Sequence, residues 1–282
     1  MQLTTYIKRL LYPLYIYPKI VEGKKKKLHN LFLFYKNKIE QSIDNEQVKI
    51  FSNKEEDGII IRLLASLNVS KGYFLDIGSN DCINSNCANL AFNFDWSGVF
   101  VDASKKLLRI GERNYRFFVK KQDLKFVNAF VYPENINEIV KDKVSTLDID
   151  FMNIDIDGND YAIWAALECV KPKLLIIENK IEYGENDIVV PVHNSFLSSE
   201  WGASIVSMTR LAGQKGYTLV ATNKDGFNAF YIRNDLLIIS GLQELSLKKV
   251  AENKHIKYCF YPENVIKGLM EKVEVFKEKD NE

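Results

Sequence analysis

YFLDIGSNDCINSN, residues 73–86, is the stretch whose reading decides the fold. An apolar run ends in an acid; a glycine follows, then a small polar loop and a helix-like segment. That is the order of the first strand, loop and helix of a nucleotide-type α/β domain. The pattern predicts a strand over residues 73–77. Gly78, with no Cβ, lets backbone approach a ligand closely, and the N–H groups opening the next helix favour negative charge. A dinucleotide loop reads G-x-G-x-x-G, whereas here Ser79, Asn80, Asp81 and Cys82 follow a single glycine. A glycine-poor loop with an extra acid suits a pyrophosphate badly. It suits a phosphate-free ligand with an amino group and a positive centre, as in S-adenosylmethionine. An ordinary strand–turn–helix junction would look the same locally, so the neighbouring elements must decide.

Residues 86–95 supply the first crossover helix, with Asn86 at its start. Residues 98–101 read as a second buried strand ending at Asp102 and Ala103. An acid there, ~20 residues or slightly more past the glycine loop, is the partner of a ribose diol, because one carboxylate accepts from both hydroxyls. It can equally cap the helix over residues 104–113, and the two roles are compatible. Residues 124–131 form a third strand, with Asn128 and Ala129 near its end, where an adenine edge would be met. FMNIDID (151–157) is a fourth strand, residues 161–170 a helix closed by Pro172, and LLIIE (174–178) a fifth strand. Repeated β-α units predict a parallel sheet with helices on both faces. The cofactor-binding set expected from these loops is Asp76, Gly78, Ser79, Asn80, Asp81, Asn86, Asp102, Ala103, Asn128, Ala129 and Asp155.

The last strands separate two cofactor classes. A helix over residues 204–215 stops at Gly216. Residues 217–222 and 228–233 are strands joined by a tight turn at Lys224, Asp225 and Gly226, so they are antiparallel. A nicotinamide-type sheet continues with parallel crossovers. An antiparallel closing hairpin belongs to the Rossmann-like methyltransferase fold: α/β, a mostly parallel seven-stranded sheet, helices on both faces. This is an architectural analogy and assigns no activity by itself.

The 282 residues, 46% apolar and 27% charged, suit one large α/β domain with extensions. The expected division is a helical, basic extension (1–47), the main domain (48–242), and a C-terminal helix with a charged tail (243–282). A net charge of +1 makes no global case for nucleic acid, and no N-P-P-Y-type tetrad follows the fourth strand; no nucleic-acid partner is expected. Cys82, Cys87, Cys169 and Cys259 show no C-x-x-C or zinc spacing and read as free thiols of a reducing cytoplasm. No apolar run reaches the ~18–20 residues that span a bilayer. Residues 1–20 are interrupted by Lys8, Arg9, Pro13 and Pro18 and lack a signal cleavage site. Residues 1–27 read first as a helical extension packed on the main domain or on a second subunit of a homo-oligomer. The alternative, given the lysine run 24–27, is peripheral contact with an anionic inner membrane face. Residues 28–46 read as an amphipathic helix, 51–58 as a polar connector, 59–67 as a helix, and 262–276 as a surface helix before a frayed tail.

Asp155 and Asp157 stand two apart on the fourth strand, hence on one side, at the carboxyl end where open α/β sheets place ligands. Paired carboxylates raise one another's pKa. Either can then serve as general base for a hydroxyl acceptor in an in-line methyl displacement. Helix capping by Asp157 and Asp160 is the competing use, though capping does not require three acids. His193, in the long loop 187–201, is an alternative base. Asp155, Asp157 and Glu178 with Asn179 are hard oxygen ligands suited to a divalent metal, but their spacing departs from that of cation-dependent O-methyltransferases, and no metal is expected.

Seven segments together resemble the FkbM-type S-adenosylmethionine-dependent methyltransferases, in the bacterial branch found among glycan and surface-polysaccharide genes. They are FSNKEEDGII (51–60), DIGSND (76–81), WSGVFVDAS (96–104), NIDIDGNDY (153–161), WGASI (201–205), KGYTLV (215–220) and GFNAFYIRNDL (226–236). The resemblance covers roughly residues 49–236. It departs at Cys82, where the family usually has glycine, and at Asn53, where it usually has glutamine. The resemblance implies O-methyl transfer to a sugar hydroxyl of a glycan or polysaccharide precursor, and the acceptor class rests on it alone. The competing readings are a non-catalytic glycan- or partner-binding module on a decayed methyltransferase fold, favoured by Cys82, and an NAD(P)-dependent sugar oxidoreductase, opposed by the missing glycines and the hairpin.

Overall fold

Five consecutive buried residues, Tyr73–Ile77, form β1 in the interior of the sheet. The structure is a computed structural model and describes residues 12–37, 48–119 and 123–280. Among the described residues three helices precede β1: α1 (Tyr12–Ile20), α2 (Glu22–Asn37) and α3 (Glu56–Ser66). Then come α4 (Ala88–Asn93), β2 (Ser97–Asp102), α5 (Lys105–Phe118), β3 (Leu124–Asn128), α6 (Ile136–Lys143), β4 (Phe151–Ile154), α7 (Asp160–Ala166) and β5 (Leu174–Glu178). A two-stranded ribbon, β6 (Val189–Val190) and β7 (Gly202–Ala203), leads to α8 (Ile205–Lys215), β8 (Tyr217–Thr222) and β9 (Asn228–Arg233). The chain closes with α9 (Asn234–Ser240), α10 (Leu247–Glu252), α11 (Lys254–Lys257) and α12 (Glu263–Asp280).

The seven-stranded sheet runs β3-β2-β1-β4-β5-β9-β8. β1 to β5 pair in parallel, and β9 pairs antiparallel with both β5 and β8. This is the Rossmann-like methyltransferase fold. The chain order reverses between β1 and β4, and at such a switch point the strand ends splay to leave a crevice. Side chains alternate across the sheet. Phe74, Phe100, Phe151, Ile176 and Phe230 face α1 to α5, while Leu75, Val99, Met152, Leu175 and Tyr231 face α6, α7 and α8. Aromatic rings thicken the first layer: Phe92 stacks on Tyr115 at 4.2 Å and Phe100 meets Phe74 edge-on at 4.9 Å. Each such side chain contributes roughly 1.5–3 kcal/mol by burial, so the strands are held firmly beneath the loops they carry.

Several boundaries move for local reasons. β4 ends at Ile154 rather than residue 157, because the buried Asp160 carboxylate accepts from the N–H groups of Ile156 and Gly158, both at 3.0 Å, and curls the chain off the sheet. Asp155 and Asp157 are therefore not partners on a strand. β3 stops at Asn128. The first crossover helix shrinks to Ala88–Asn93, and α7 ends at Ala166. Residues 51–58 are not a plain connector. Glu56, Asp57 and Gly58 open α3, and Asp57 Oδ2 collects the N–H groups of Ile50, Phe51 and Ser52 at 2.7–2.9 Å. The helix expected from residue 28 begins at Glu22 and takes in the lysine run; its expected end at 46 lies outside the described residues. Through residue 280 the C-terminal segment is a helix, not a frayed tail. Ile266, Leu269 and Val273 pack it on Tyr183, Ile188, Val190 and Phe196.

Candidate functional site

The loops at the carboxyl ends of β1, β2 and β4 interlock before any ligand is considered. Gly78 has φ +84°, and a Cβ there would lie 1.7 Å from the Asp155 carbonyl oxygen. Asp155 N–H in turn donates to Ile77 O at 3.0 Å. The glycine is thus required by the neighbouring β4 loop itself. Beyond it Asn80 and Cys82 sit at φ +52° and +60°, a region that disfavours residues with a Cβ. The departure at Cys82 is absorbed by α5. Gly111 faces it, and a Cβ on Gly111 would fall 2.6 Å from Asp81 O and 2.8 Å from Cys82 Cβ.

Beneath the loop lies a buried polar floor. Asp76 accepts from Ser85 Oγ at 2.5 Å and Asn153 Nδ2 at 2.8 Å, and Asn153 Oδ1 accepts from Asn86 Nδ2 at 3.0 Å. Burial pushes the Asp76 carboxyl up to about 6, against the pull of those donors. Ser79 is buried, with N–H and Oγ both directed at Val101 O. Asp81 corrects the sequence reading. Only 2% exposed, it does not offer its charge to a ligand. One oxygen accepts from Ile83 and Asn84 N–H at 3.0 Å, and the other from Tyr12 Oη of α1 and from Asn84 Nδ2.

Above the floor is a rim open to solvent. Asp102 accepts from Asn80 N–H and Ser104 N–H, each at 2.7 Å. It therefore pins the loop and holds Ser104, whose own Oγ caps α5 by accepting from Leu107 N–H. Two of a carboxylate's roughly four acceptor positions are filled, leaving room for a diol. Asn128 Nδ2 donates to Asp102 O and Ala103 O at 3.0 and 2.8 Å, and Ala129 N–H donates to Asp102 O at 3.1 Å. The amide of Asn128 is thus spent on tying the tips of β2 and β3 together. Asn80, Ala103 and Asn128 are exposed, while Asp102 and Ala129 are half-buried.

The acids meet at the next strand ends. Asp155, Asp157 and Glu178 bring carboxylate oxygens within 4.8 Å of one another. Strand alternation does not do this: Asp157 takes φ +55° in the turn that Asp160 holds, and Glu178 arrives from the end of β5. Burial raises the Asp155 carboxyl well above the usual range, and Glu178, Asp160 and Asp157 add to it. Burial and then Asp160 push Glu178 to about 7, with Lys180 opposing. Asp160 rises to about 6, chiefly by burial. Asp155, Asp160 and Glu178 are thus more basic than ordinary carboxylates, and an ionised member of the cluster is better matched to a weakly acidic hydroxyl. Its all-oxygen donor set would also fit one hard divalent cation through Asp155, Asp157 and Glu178. Asn179 is otherwise engaged: 2% exposed, it donates from Nδ2 to Gly226 O and Phe227 O, both at 2.9 Å, fastening β5 to the hairpin turn.

His193 is exposed and keeps company with its own loop and α12. Its Nδ1 pairs with Ser195 Oγ at 3.0 Å, and its ring stands 4.9 Å from Phe276. The loop itself does reach the acids. A Cβ on Gly158 (φ +116°) would lie 2.7 Å from Trp201 Cβ, so Trp201 is laid against the Asp157–Gly158 turn. The β6–β7 ribbon closes the loop's base, and Phe196 against Phe276 and Glu200 against Lys272 (3.1 Å) pin it to α12. Sequence reasoning assigned no role to Ser85, Asn153, Gly111 or Tyr12, and gave Glu178 one only as a metal ligand. Asn153 carried a signal, a polar residue inside an apolar strand. Tyr12 carried none, standing 69 residues from Asp81.

No family model matches the sequence, and no curated protein matches it. Solved structures do. A putative caffeoyl-CoA O-methyltransferase from Staphylococcus aureus is 16% identical, covers 81% of this chain and 99% of its own, and has a TM-score of 0.47. An O-methyltransferase from Bacillus cereus in complex with S-adenosylhomocysteine is 15% identical over 78% of this chain and 96% of its own, TM-score 0.42. TrmK from M. capricolum, in complex with the same cofactor product, is 14% identical over 61% of this chain, TM-score 0.37, and this chain spans 66% of its length. At such identities the likeness is one of chain course, and what those proteins bind is theirs.

Proposed function

We propose that the protein is an S-adenosylmethionine-dependent O-methyltransferase of FkbM type, acting in the cytoplasm on a sugar hydroxyl of a glycan or polysaccharide precursor. The observation that carries this reading is the juxtaposition at the switch point. A glycine-poor loop is pinned by Asp102, and at the adjoining strand ends Asp155, Asp157 and Glu178 bring their carboxylates together, with Asp155 and Glu178 raised by burial. The sugar acceptor rests on the motif resemblance.

S-adenosylmethionine would supply the sulfonium methyl group. Asp102 would accept the ribose hydroxyls with its open lone pairs. Asn80 and Ala103 would flank it on the rim. The buried floor of Asp76, Asn153, Asn86 and Ser79 would keep the loop from shifting as the ligand enters. An acceptor hydroxyl, held in line with the methyl carbon, would give its proton to Asp155 or Asp157 as the O–C bond forms and the C–S bond breaks. The electron pair would leave on sulfur, giving S-adenosylhomocysteine and the methyl ether. Glu178 would serve as proton partner to whichever acid acts. Trp201, against Gly158, would wall the acceptor side.

The test is calorimetric titration with S-adenosylhomocysteine, NAD and NADP, repeated on Asp102→Ala. Micromolar binding of S-adenosylhomocysteine alone, lost in the variant, supports the reading. Binding of NAD instead moves the protein to the oxidoreductases. No binding of any of the three leaves a decayed, non-catalytic module. With the cofactor in hand, Asp155→Asn and Asp157→Asn are assayed on sugar acceptors; undiminished turnover in both removes these acids as bases.

A further inference from the structure

Helices α1 and α2 have opposite faces of opposite character. Their inner face belongs to the core: Tyr12 and Ile16 of α1 and Leu28, Phe32 and Tyr35 of α2 are buried. Tyr12 also donates to Asp81 in the loop after β1, which places the arm beside the rim of the candidate site. The outer face is not a solvated polar surface. Leu14 is 72% exposed, Tyr17 63% and Leu33 52%. Helical spacing sets Leu14 and Tyr17 opposite Tyr12 and Ile16, and sets Lys26 and Leu33 opposite Leu28 and Phe32. Lys26 and Lys27 are exposed, and Lys24 and Lys25 half-buried. No helix among the described residues is long and apolar enough to cross a membrane.

Charge separates this arm from the rest of the protein. Eight basic residues against Glu22 alone give residues 1–37 a net charge of +7. Since the chain sums to +1, everything after residue 37 carries −6. A sequence-independent electrostatic partner would therefore be met by the arm and repelled by the body. Exposed leucine and tyrosine interleaved with lysine suit an interface whose surface is anionic and whose next layer is apolar. Nucleic acid offers the first property, but it has no layer into which Leu14 and Leu33 could sink.

We infer that the outer face of α1 and α2 docks on an anionic lipid surface, with Leu14, Tyr17 and Leu33 entering the headgroup boundary and the exposed Lys26 and Lys27 facing the lipid phosphates. Docking of this kind holds the rim at the membrane, where a lipid-carried acceptor would be presented. The inference concerns the surface alone and stands whatever reaction the site performs.

The test is sedimentation of the full chain with vesicles of phosphatidylcholine alone and of phosphatidylcholine with about 30% phosphatidylglycerol, whose negative surface potential attracts lysines near it. Two variants are run beside the parent, Leu14→Ser with Leu33→Ser, and Lys26→Gln with Lys27→Gln. Both change exposed positions, and circular dichroism verifies that each is folded. The expected result is partition onto anionic vesicles about tenfold above that onto neutral ones, falling about tenfold in each variant and weakening with salt. Three results overturn the inference: no sedimentation with anionic vesicles, equal binding by the variants, or binding of an RNA duplex without binding of vesicles.

Discussion

Replacing Glu178 with glutamine should make the protein more stable while damaging its chemistry. Burial and Asp160 move the Glu178 carboxyl from 4.5 to about 7. The folded state therefore binds that proton more tightly than the unfolded chain does. The stability this contributes is fully present below pH 4.5, declines as pH rises to about 7, and is absent above it. At ~1.4 kcal/mol per unit of displacement, the loss across that window is roughly 3 kcal/mol as an upper bound. Glutamine cannot ionise, and its amide can donate to the carboxylates beside it. Glu178→Gln should match the parent near pH 4.5 and exceed it at pH 8 by up to ~3 kcal/mol, about 6 °C in Tm for a chain of this size. The assay is urea and thermal unfolding of parent and variant at both pH values in EDTA, so that no stray cation neutralises the cluster. A variant no more stable than the parent at pH 8 would refute the reasoning, because the acid would then not be held against its own charge.

Gly78→Ala should cost at least ~3 kcal/mol, from a left-handed backbone and a Cβ driven into the Asp155 carbonyl, which no rotamer relieves; a urea midpoint unchanged from the parent would contradict the geometry. Gly111→Ala should also destabilise, because overpacking of ~1–3 kcal/mol against Asp81 O and Cys82 outweighs the ~1 kcal/mol that alanine normally adds to a helix. The penalty should shrink in a Cys82→Gly background, and a double-mutant cycle additive within ~0.5 kcal/mol would show that the two residues do not share the space. Methyl transfer should be unchanged in EDTA if a carboxylate alone is the base. Activity lost to chelation and restored by magnesium would transfer that role to a cation at Asp155, Asp157 and Glu178.

Much of the fold was legible in the chain. β1, β5, β8 and β9 were predicted to the residue, because each is a short apolar run bounded by glycine, proline or a turn signal, and buried strands need little else. The turn at Gly226 forced the last pair to be antiparallel, and with it the class of sheet. Elements that side chains stop early were not legible. The end of β4 depends on Asp160 reaching back to Ile156 and Gly158, and hydropathy along FMNIDID cannot register a hydrogen bond made four residues later.

The same division runs through the site. The sequence by itself determined which residue types gather at the strand ends: the single glycine, the acid at the tip of β2, and the acids after β4 and β5. Only the tertiary structure decided how each is spent. Asp81 is turned inward to the loop and to Tyr12, Asp102 takes Asn80 N–H, Gly78 makes room for a carbonyl rather than only for a ligand, and Asp155, Asp157 and Glu178 share one space. Covalent spacing limits where a side chain can start, but its hydrogen-bond partners and its desolvation are set by segments that arrive from elsewhere in the chain. A carboxylate's pKa and its freedom to meet a ligand depend on those partners and on that burial.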